Sequence, residues 1–99
     1  MRGPLVVYGV PNGLEFSRLG ISIGRPVGVA AVRNRIKRLL RESFRLMQHD
    51  LPHGYDLVVV VRPHELLILA EYQKLLMALA LRLHRAWEQR ASGSTAAEG

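Results

Sequence analysis

Six basic side chains fall within thirteen residues, Arg33 to Arg45, in the run RNRIKRLLRESFR. At about 100° per residue, a helix through this run gathers Asn34, Arg38, Arg41 and Arg45 into one narrow sector. Val32, Ile36, Leu39, Leu40 and Met47 fall on the opposite side. One face is therefore fit for a core. The other concentrates guanidinium groups whose planar forks match phosphate oxygens. Arg33, Arg35 and Lys37 lie on its flanks, and Arg18 and Arg25 precede it. Backbone donors at the helix start near Gly28 add positive potential for an anion.

Other chemistry is hard to assemble from this sequence. The histidines at 49, 53, 64 and 84 offer no i, i+4 pair within a helix, since His49 and His53, four apart, flank an expected helix end and loop. Ser22 has no neighbour in sequence that would activate it as a nucleophile. The segment GRPVG, Gly24 to Gly28, lacks both the spacing and the lysine of a phosphate loop. No close pair of carboxylates stands out. A binding surface is the reading that remains, and a self-contained enzyme is not expected.

The charge distribution agrees. The net charge is +6, and the segment from Arg18 to Arg45 holds eight Lys or Arg against the single acid Glu42, while the remainder is slightly acidic. A patch of one sign points to a polyanion, because solvated helix faces normally mix signs. Arginine outnumbers lysine twelve to two. That bias favours nucleic acid, since arginine binds phosphate bidentately and stacks on bases. There is no cysteine, so disulfides and thiolate metal sites are excluded, in keeping with a reducing cytoplasm. No apolar run reaches the ~18–20 residues of a membrane span.

The elements that must position this surface follow from periodicity. Ninety-nine residues suit one domain. Residues Leu5 to Val10 form a continuous apolar run and read as a buried strand, closed by the turn Pro11-Asn12-Gly13. Arg18 to Gly24 alternates, with Leu19, Ile21 and Ile23 on one face and Arg18, Gly20, Ser22 and Gly24 on a nearly bare one. Such glycines admit either a ligand or a closely packed helix. The basic helix is expected from about Val29 to His49, with Gly28 as its N-cap. Asp56 to Arg62 is a second apolar run, suited to a central strand buried on both faces. From about Ala70 to Arg90 a helical period returns, with Leu69, Tyr72, Leu76, Leu79, Leu83 and Trp87 on one side. Met77 and Leu81 fall toward its polar side. Residues 1–90 are expected to form the domain and 91–99 a disordered tail. The unit from Arg18 to Arg62 reads as a parallel strand–helix–strand crossover, which the general rule would make right-handed.

The stretch RLGISIGRPVGVAAVRNRIKRLLRESFR, Arg18 to Arg45, resembles the bacterial ribonuclease P protein subunit. Arg33-Asn34-Arg35 followed by Ile36-Lys37-Arg38 is similar to that family's signature helix, and GYDLVVVVRP, Gly54 to Pro63, looks like its next strand. The likeness extends over about Leu5 to Arg90. It implies an α/β (α+β) two-layer sandwich with a small mixed sheet and an unusual left-handed crossover, as in ribosomal-protein-like folds. It further implies an RNA-binding subunit of a holoenzyme that removes the 5′ leader from precursor tRNA. In that holoenzyme the catalytic RNA and its bound magnesium perform the hydrolysis, so no catalytic residue is expected in the protein. The implied partners are the catalytic RNA and the precursor tRNA, with no membrane and no small-molecule ligand.

Carried over by position, the resemblance assigns Arg33, Asn34, Arg35, Lys37, Arg38, Arg41 and Arg45 to the catalytic RNA. It assigns Tyr8, Arg18, Ser22 and Arg25 to a cleft for the single-stranded leader, where an aromatic ring can stack on a base. As a strand aromatic, Tyr8 could equally serve the core. The family carries a further helix and strand ahead of the strand that starts here at Leu5. Either the translation start lies further upstream than Met1, or the leader cleft lacks the aromatic and basic side chains of that segment. Pro26 stands where a second basic residue is common, and Gly24 where a hydroxyl residue is frequent. The alternative reading is a structural RNA-binding protein of ribosomal type. A nuclease acting alone lacks its carboxylate or histidine cluster, and a membrane-surface helix leaves the flanking strands unexplained.

Overall fold

The computed structural model describes residues 3–98. Three strands, β1 (Leu5–Pro11), β2 (Arg18–Ile23) and β3 (Tyr55–Val61), accompany two helices, α1 (Ala30–Met47) and α2 (Leu69–Glu98). A short 3-10 turn, Arg25–Val27, links β2 to α1. The sheet order is β1-β3-β2. Strand β3 is central, antiparallel to β1 with Tyr8 opposite Val58, and parallel to β2 with Gly20 opposite Val58. The β2–α1–β3 unit is thus the expected parallel crossover, and the domain is a small mixed sheet with two helices.

Both helices contribute to one core. Ile36 and Leu40 of α1 and Tyr72, Leu76 and Ala80 of α2 are buried with Leu5, Val59 and Val61 of the sheet. Leu19, Ile21 and Ile23 of β2 pack against this cluster from the same sheet face. Full burial of each large apolar side chain contributes about 1.5–3 kcal/mol, so the helices are held mainly by these residues. Gly9 lets α2 approach β1, because a Cβ there would come 2.7 Å from Leu83 Cδ2. Gly54, at φ 85°, turns the chain into β3 where a Cβ would meet the Leu14 carbonyl oxygen at 3.1 Å. The segment after Pro63 is fastened by His64. Its Nδ1 donates to the Arg62 carbonyl at 2.7 Å, which leaves Nε2 to accept from the buried Tyr72 hydroxyl at 2.8 Å.

Several expectations need correction. Strands β1 and β3 are not buried on both faces. In β3, Tyr55, Leu57, Val59 and Val61 are buried while Val58 between them is exposed, and in β1 only Leu5 is fully buried. A continuous valine run shows that either face can be apolar, but not that two layers exist to cover both. The N-cap of α1 is Val29 rather than Gly28, and it makes no side-chain cap. Val32 is exposed rather than in the core. Met77 packs on the core, whereas Leu81 is exposed. Helix α2 spans Leu69–Glu98. Met1, Arg2 and Gly99, the ends of the expected domain and tail, lie outside the described residues.

Candidate nucleic-acid interface

Helix α1 buries Ile36, Leu40 and Ser43. That anchoring turns Asn34, Arg35, Arg38, Arg41 and Arg45 outward, all exposed, with Arg33 and Lys37 half-buried beside them. The eleven residue steps from Asn34 to Arg45 cover about 16 Å of helix at 1.5 Å per residue. Asn34 and Arg38 form a ridge between two shallow recesses. One is lined by Lys37, Arg41, Glu42 and Arg45, and the other by Ala31, Arg35 and Leu39. Arg35, Lys37, Arg38 and Arg41 have no ion-pair partner among the described residues. Their charge is therefore available to an external anion.

Two members of the basic set are engaged internally. Arg33 Nε donates to the Gly28 carbonyl at 3.0 Å, tying the first turn of α1 to the preceding loop. Arg45 Nη2 meets Glu42 Oε2 at 2.6 Å, and its Nε donates to Oε1 at 3.1 Å. This pairing lowers the Glu42 carboxyl below its ordinary pKa, chiefly through the hydrogen bond from Arg45. Exposed pairs of this kind contribute little to stability, and here the pair trims positive charge at the far end of the ridge.

The second surface is the sheet face opposite the helices. Register places Val6, Tyr8 and Val10 of β1, Asp56, Val58 and Val60 of β3, and Arg18, Gly20 and Ser22 of β2 on this side. Tyr8 is 60% exposed, Val10 53% and Val58 42%. Tyr8 is thus a surface aromatic and not a core one. On the other side of Val58, Gly20 presents bare backbone, which resolves the reading of that glycine-bearing face in favour of open space. Ser22 is exposed on the same face, and Arg25 is exposed in the 3-10 turn just beyond β2. Exposed apolar area grouped in this way marks a contact surface.

Arg18 belongs to this face, but its charge is matched. Its Nε and Nη2 donate to the two Asp56 oxygens, each at 2.7 Å. Asn12 Nδ2 adds a third donor to Asp56 Oδ1 at 3.0 Å. These hydrogen bonds hold the Asp56 carboxyl down at about 2.

Sequence reasoning missed three contributors. Arg62 is one: the β1–β3 ladder continues through a hydrogen bond from its N–H to the Pro4 carbonyl at 2.8 Å. Position 62 therefore shares the parity of Asp56, Val58 and Val60. Asp56 is the second, and the same two-residue step from Arg62 would have found it. The third is an aromatic wall at the β1 edge. Trp87 Nε1 donates to the Gly9 carbonyl at 3.0 Å, Arg90 lies 4.9 Å over its ring, and both line a groove with Tyr8 and Val10. No cluster of three His, Cys, Asp or Glu side chains able to hold a metal ion occurs among the described residues. No helix among them is long and apolar enough to cross a membrane.

Comparison with known proteins matches residues 2–87 to the family model for ribonuclease P. A ribonuclease P protein component from Caldanaerobacter subterraneus is 52% identical over 58 residues, covering 59% of this chain and 50% of that protein. One from Alkaliphilus metalliredigens is 40% identical over 60 residues, 61% of this chain and 54% of the relative. The chain thus spans about half the length of the curated relatives it matches. Among solved structures, the RNase P protein of Thermotoga maritima superposes with a TM-score of 0.75 at 34% identity, over 83% of this chain and 79% of that one. The Staphylococcus aureus RNase P protein gives 0.67 at 30% identity, over 85% and 78%.

Proposed function

Because the chain belongs to the ribonuclease P protein family, we propose that it is the RNA-binding subunit of a ribonuclease P holoenzyme. In this reading it assists a catalytic RNA in removing the 5′ leader from precursor tRNA in the cytoplasm. The observation that carries the reading is the outward ridge of α1, where Arg35, Lys37, Arg38 and Arg41 stand without internal partners on a helix fixed by Ile36 and Leu40. A rigid row of guanidinium groups suits the closely spaced phosphates of a folded RNA. It would stabilise a compact RNA by offsetting the repulsion between its strands. The protein contributes affinity and position, and the hydrolysis belongs to the RNA. Magnesium would be held mainly by that RNA, and no side chain of this chain is assigned to it.

The open sheet face would take the single-stranded leader. Tyr8 offers a ring for base stacking, Val58 and Gly20 a flat floor, Ser22 a hydroxyl, and Arg25 and Arg62 phosphate-binding charge. Arg25 also stands close in sequence to the first turn of α1. A leader crossing the sheet would thus run toward the ridge that holds the catalytic RNA.

The test is cleavage of a precursor tRNA by the cognate catalytic RNA at low magnesium, with the protein, without it, and with the protein alone. Stimulation confined to the mixture supports the subunit reading. Tight RNA binding without stimulation favours a structural RNA-binding role instead.

A further inference from the structure

We propose that Asp56 sets the boundary of the single-strand site on the open sheet face, by holding Arg18 in a closed ion pair and so confining phosphate binding to the Arg25–Arg62 end. This rests on the reading of that face as the leader site. It assigns Asp56 a positioning role and reverses the simple expectation that every arginine on the face attracts RNA.

The geometry carries the proposal. Arg18 and Asp56 are direct neighbours across the parallel β2–β3 pair. Both guanidinium-to-carboxylate contacts are 2.7 Å, a bidentate fork. The carboxylate cannot swing away, because Asn12 holds one of its oxygens. Asn12 is itself fixed. Its N–H donates to the Gly54 carbonyl at 2.8 Å, its Oδ1 accepts from Leu14 N at 2.7 Å, and its Nδ2 also donates to the Phe16 carbonyl at 3.2 Å. A braced side chain thus positions the carboxylate against Arg18. An incoming phosphate would have to displace it, or share the guanidinium with it at close range to a like charge.

The surroundings reinforce the asymmetry. The loop that leads into Arg18 adds the exposed acid Glu15. Arg90, in the adjoining groove at the β1 edge, keeps its charge but is drawn over the Trp87 ring and away from the strand face. At the opposite end of the strands, Arg25 and Arg62 have no ion-pair partner among the described residues. On the sheet face itself, the Arg18–Asp56 end therefore carries a matched pair and the Arg25–Arg62 end carries unmatched positive charge. An RNA strand would enter by its phosphates at the Arg25–Arg62 end and lose phosphate contacts beyond Tyr8.

The experiment measures binding of a single-stranded RNA oligonucleotide to the full chain across a salt series. Asp56→Asn frees Arg18 and is expected to bind roughly three- to tenfold tighter at low salt, with the logarithmic salt slope steeper by about 0.7, one additional phosphate. The double variant Arg18→Gln with Asp56→Asn removes both charges and is expected to bind as the natural chain does. Thermal melts of both variants establish that they fold, and the salt slope is a readout that a purely structural role for Asp56 would not steepen. Asp56→Asn binding no tighter overturns the proposal. So does a severalfold loss in the double variant, which would make Arg18 a phosphate ligand through its ion pair. Arg25→Gln and Tyr8→Ala identify the other kind of failure. If neither weakens oligonucleotide binding, the single-strand reading of the face falls, and the boundary falls with it.

Discussion

The outer face of α1 and the open face of the sheet are built on the same core, yet they offer RNA opposite things. The α1 face is a convex row of long cations over about 16 Å, with one acid, Glu42, at its margin. The sheet face is flat and largely apolar, with one exposed aromatic, bare backbone at Gly20 and charge only at its ends. Phosphate contacts position a nucleic acid without reading it, whereas stacking needs bases that are already unpaired. The contrast therefore divides the work. The ridge suits structured RNA that presents its backbone, and the sheet suits a single strand that presents its bases.

The largest effect should come from removing what the two surfaces share. Ile36→Ala leaves a cavity beneath the ridge and is expected to cost about 2–5 kcal/mol of folding stability, measured by denaturant unfolding. Both surfaces should weaken together, because each depends on the same packed layer. A variant that unfolds the ridge while sparing the sheet would show that the two do not share a core.

Arg38→Ala with Arg41→Ala should act on one surface alone. The two lost phosphate contacts are expected to weaken binding of the catalytic RNA by about 2 kcal/mol together. The salt slope should fall by nearly two phosphates, at about 0.7–0.9 each. Thermal stability should be unchanged, since both side chains are exposed. A large drop in melting temperature would mean that these arginines support the fold.

Tyr8→Ala should act on the other surface. Loss of one base-stacking ring is expected to weaken a single-stranded oligonucleotide by about 1–3 kcal/mol, read by titration, with catalytic-RNA binding unaltered. Tyr8→Phe should recover most of the affinity, because the ring rather than the hydroxyl does the stacking.

The smallest effect is on pH dependence. The folded Asp56 carboxyl titrates at about 2 against an ordinary value of 3.8. A depressed folded value means that its pairing favours the folded state above pH ~4 and that this contribution is lost as pH falls toward 2. Glu42 is shifted in the same direction. Asp56→Asn should therefore flatten part of the acid-side decline by slightly lowering the melting temperature above pH ~4, while leaving it nearly unchanged near pH 2. The effect is small because the pair is exposed.

Much of this arrangement could be read from the amino-acid order. The ridge was legible because its arginines and its core residues separate at helical period, and the turn signal at Pro11 to Gly13 bounded the first strand. Tyr8 and Ser22 lie on one sheet face, and Arg25 sits in the turn just beyond it. What escaped was whatever depends on the number of layers. Val58, Val59 and Val60 are chemically alike in sequence, and only the sheet shows that Val59 is buried while Val58 is exposed. The fate of Arg18 escaped for a related reason. Its partner lies thirty-eight residues away, across a strand pairing whose register the sequence does not specify. Arg62 was hidden by being read as the end of a buried strand.

The most direct test of the division of labour compares two variants in the assembled holoenzyme. Affinity is measured for precursor tRNA with its 5′ leader and for mature tRNA without it, alongside affinity of each variant for the catalytic RNA. Tyr8→Ala should abolish much of the preference for the leader while the protein still binds the catalytic RNA normally. Arg38→Ala with Arg41→Ala should weaken assembly with the catalytic RNA and, once assembled at high protein concentration, retain the leader preference. If both variants weaken assembly equally and neither alters the leader preference, the two faces form one undifferentiated RNA-binding surface, and no division of labour exists between them.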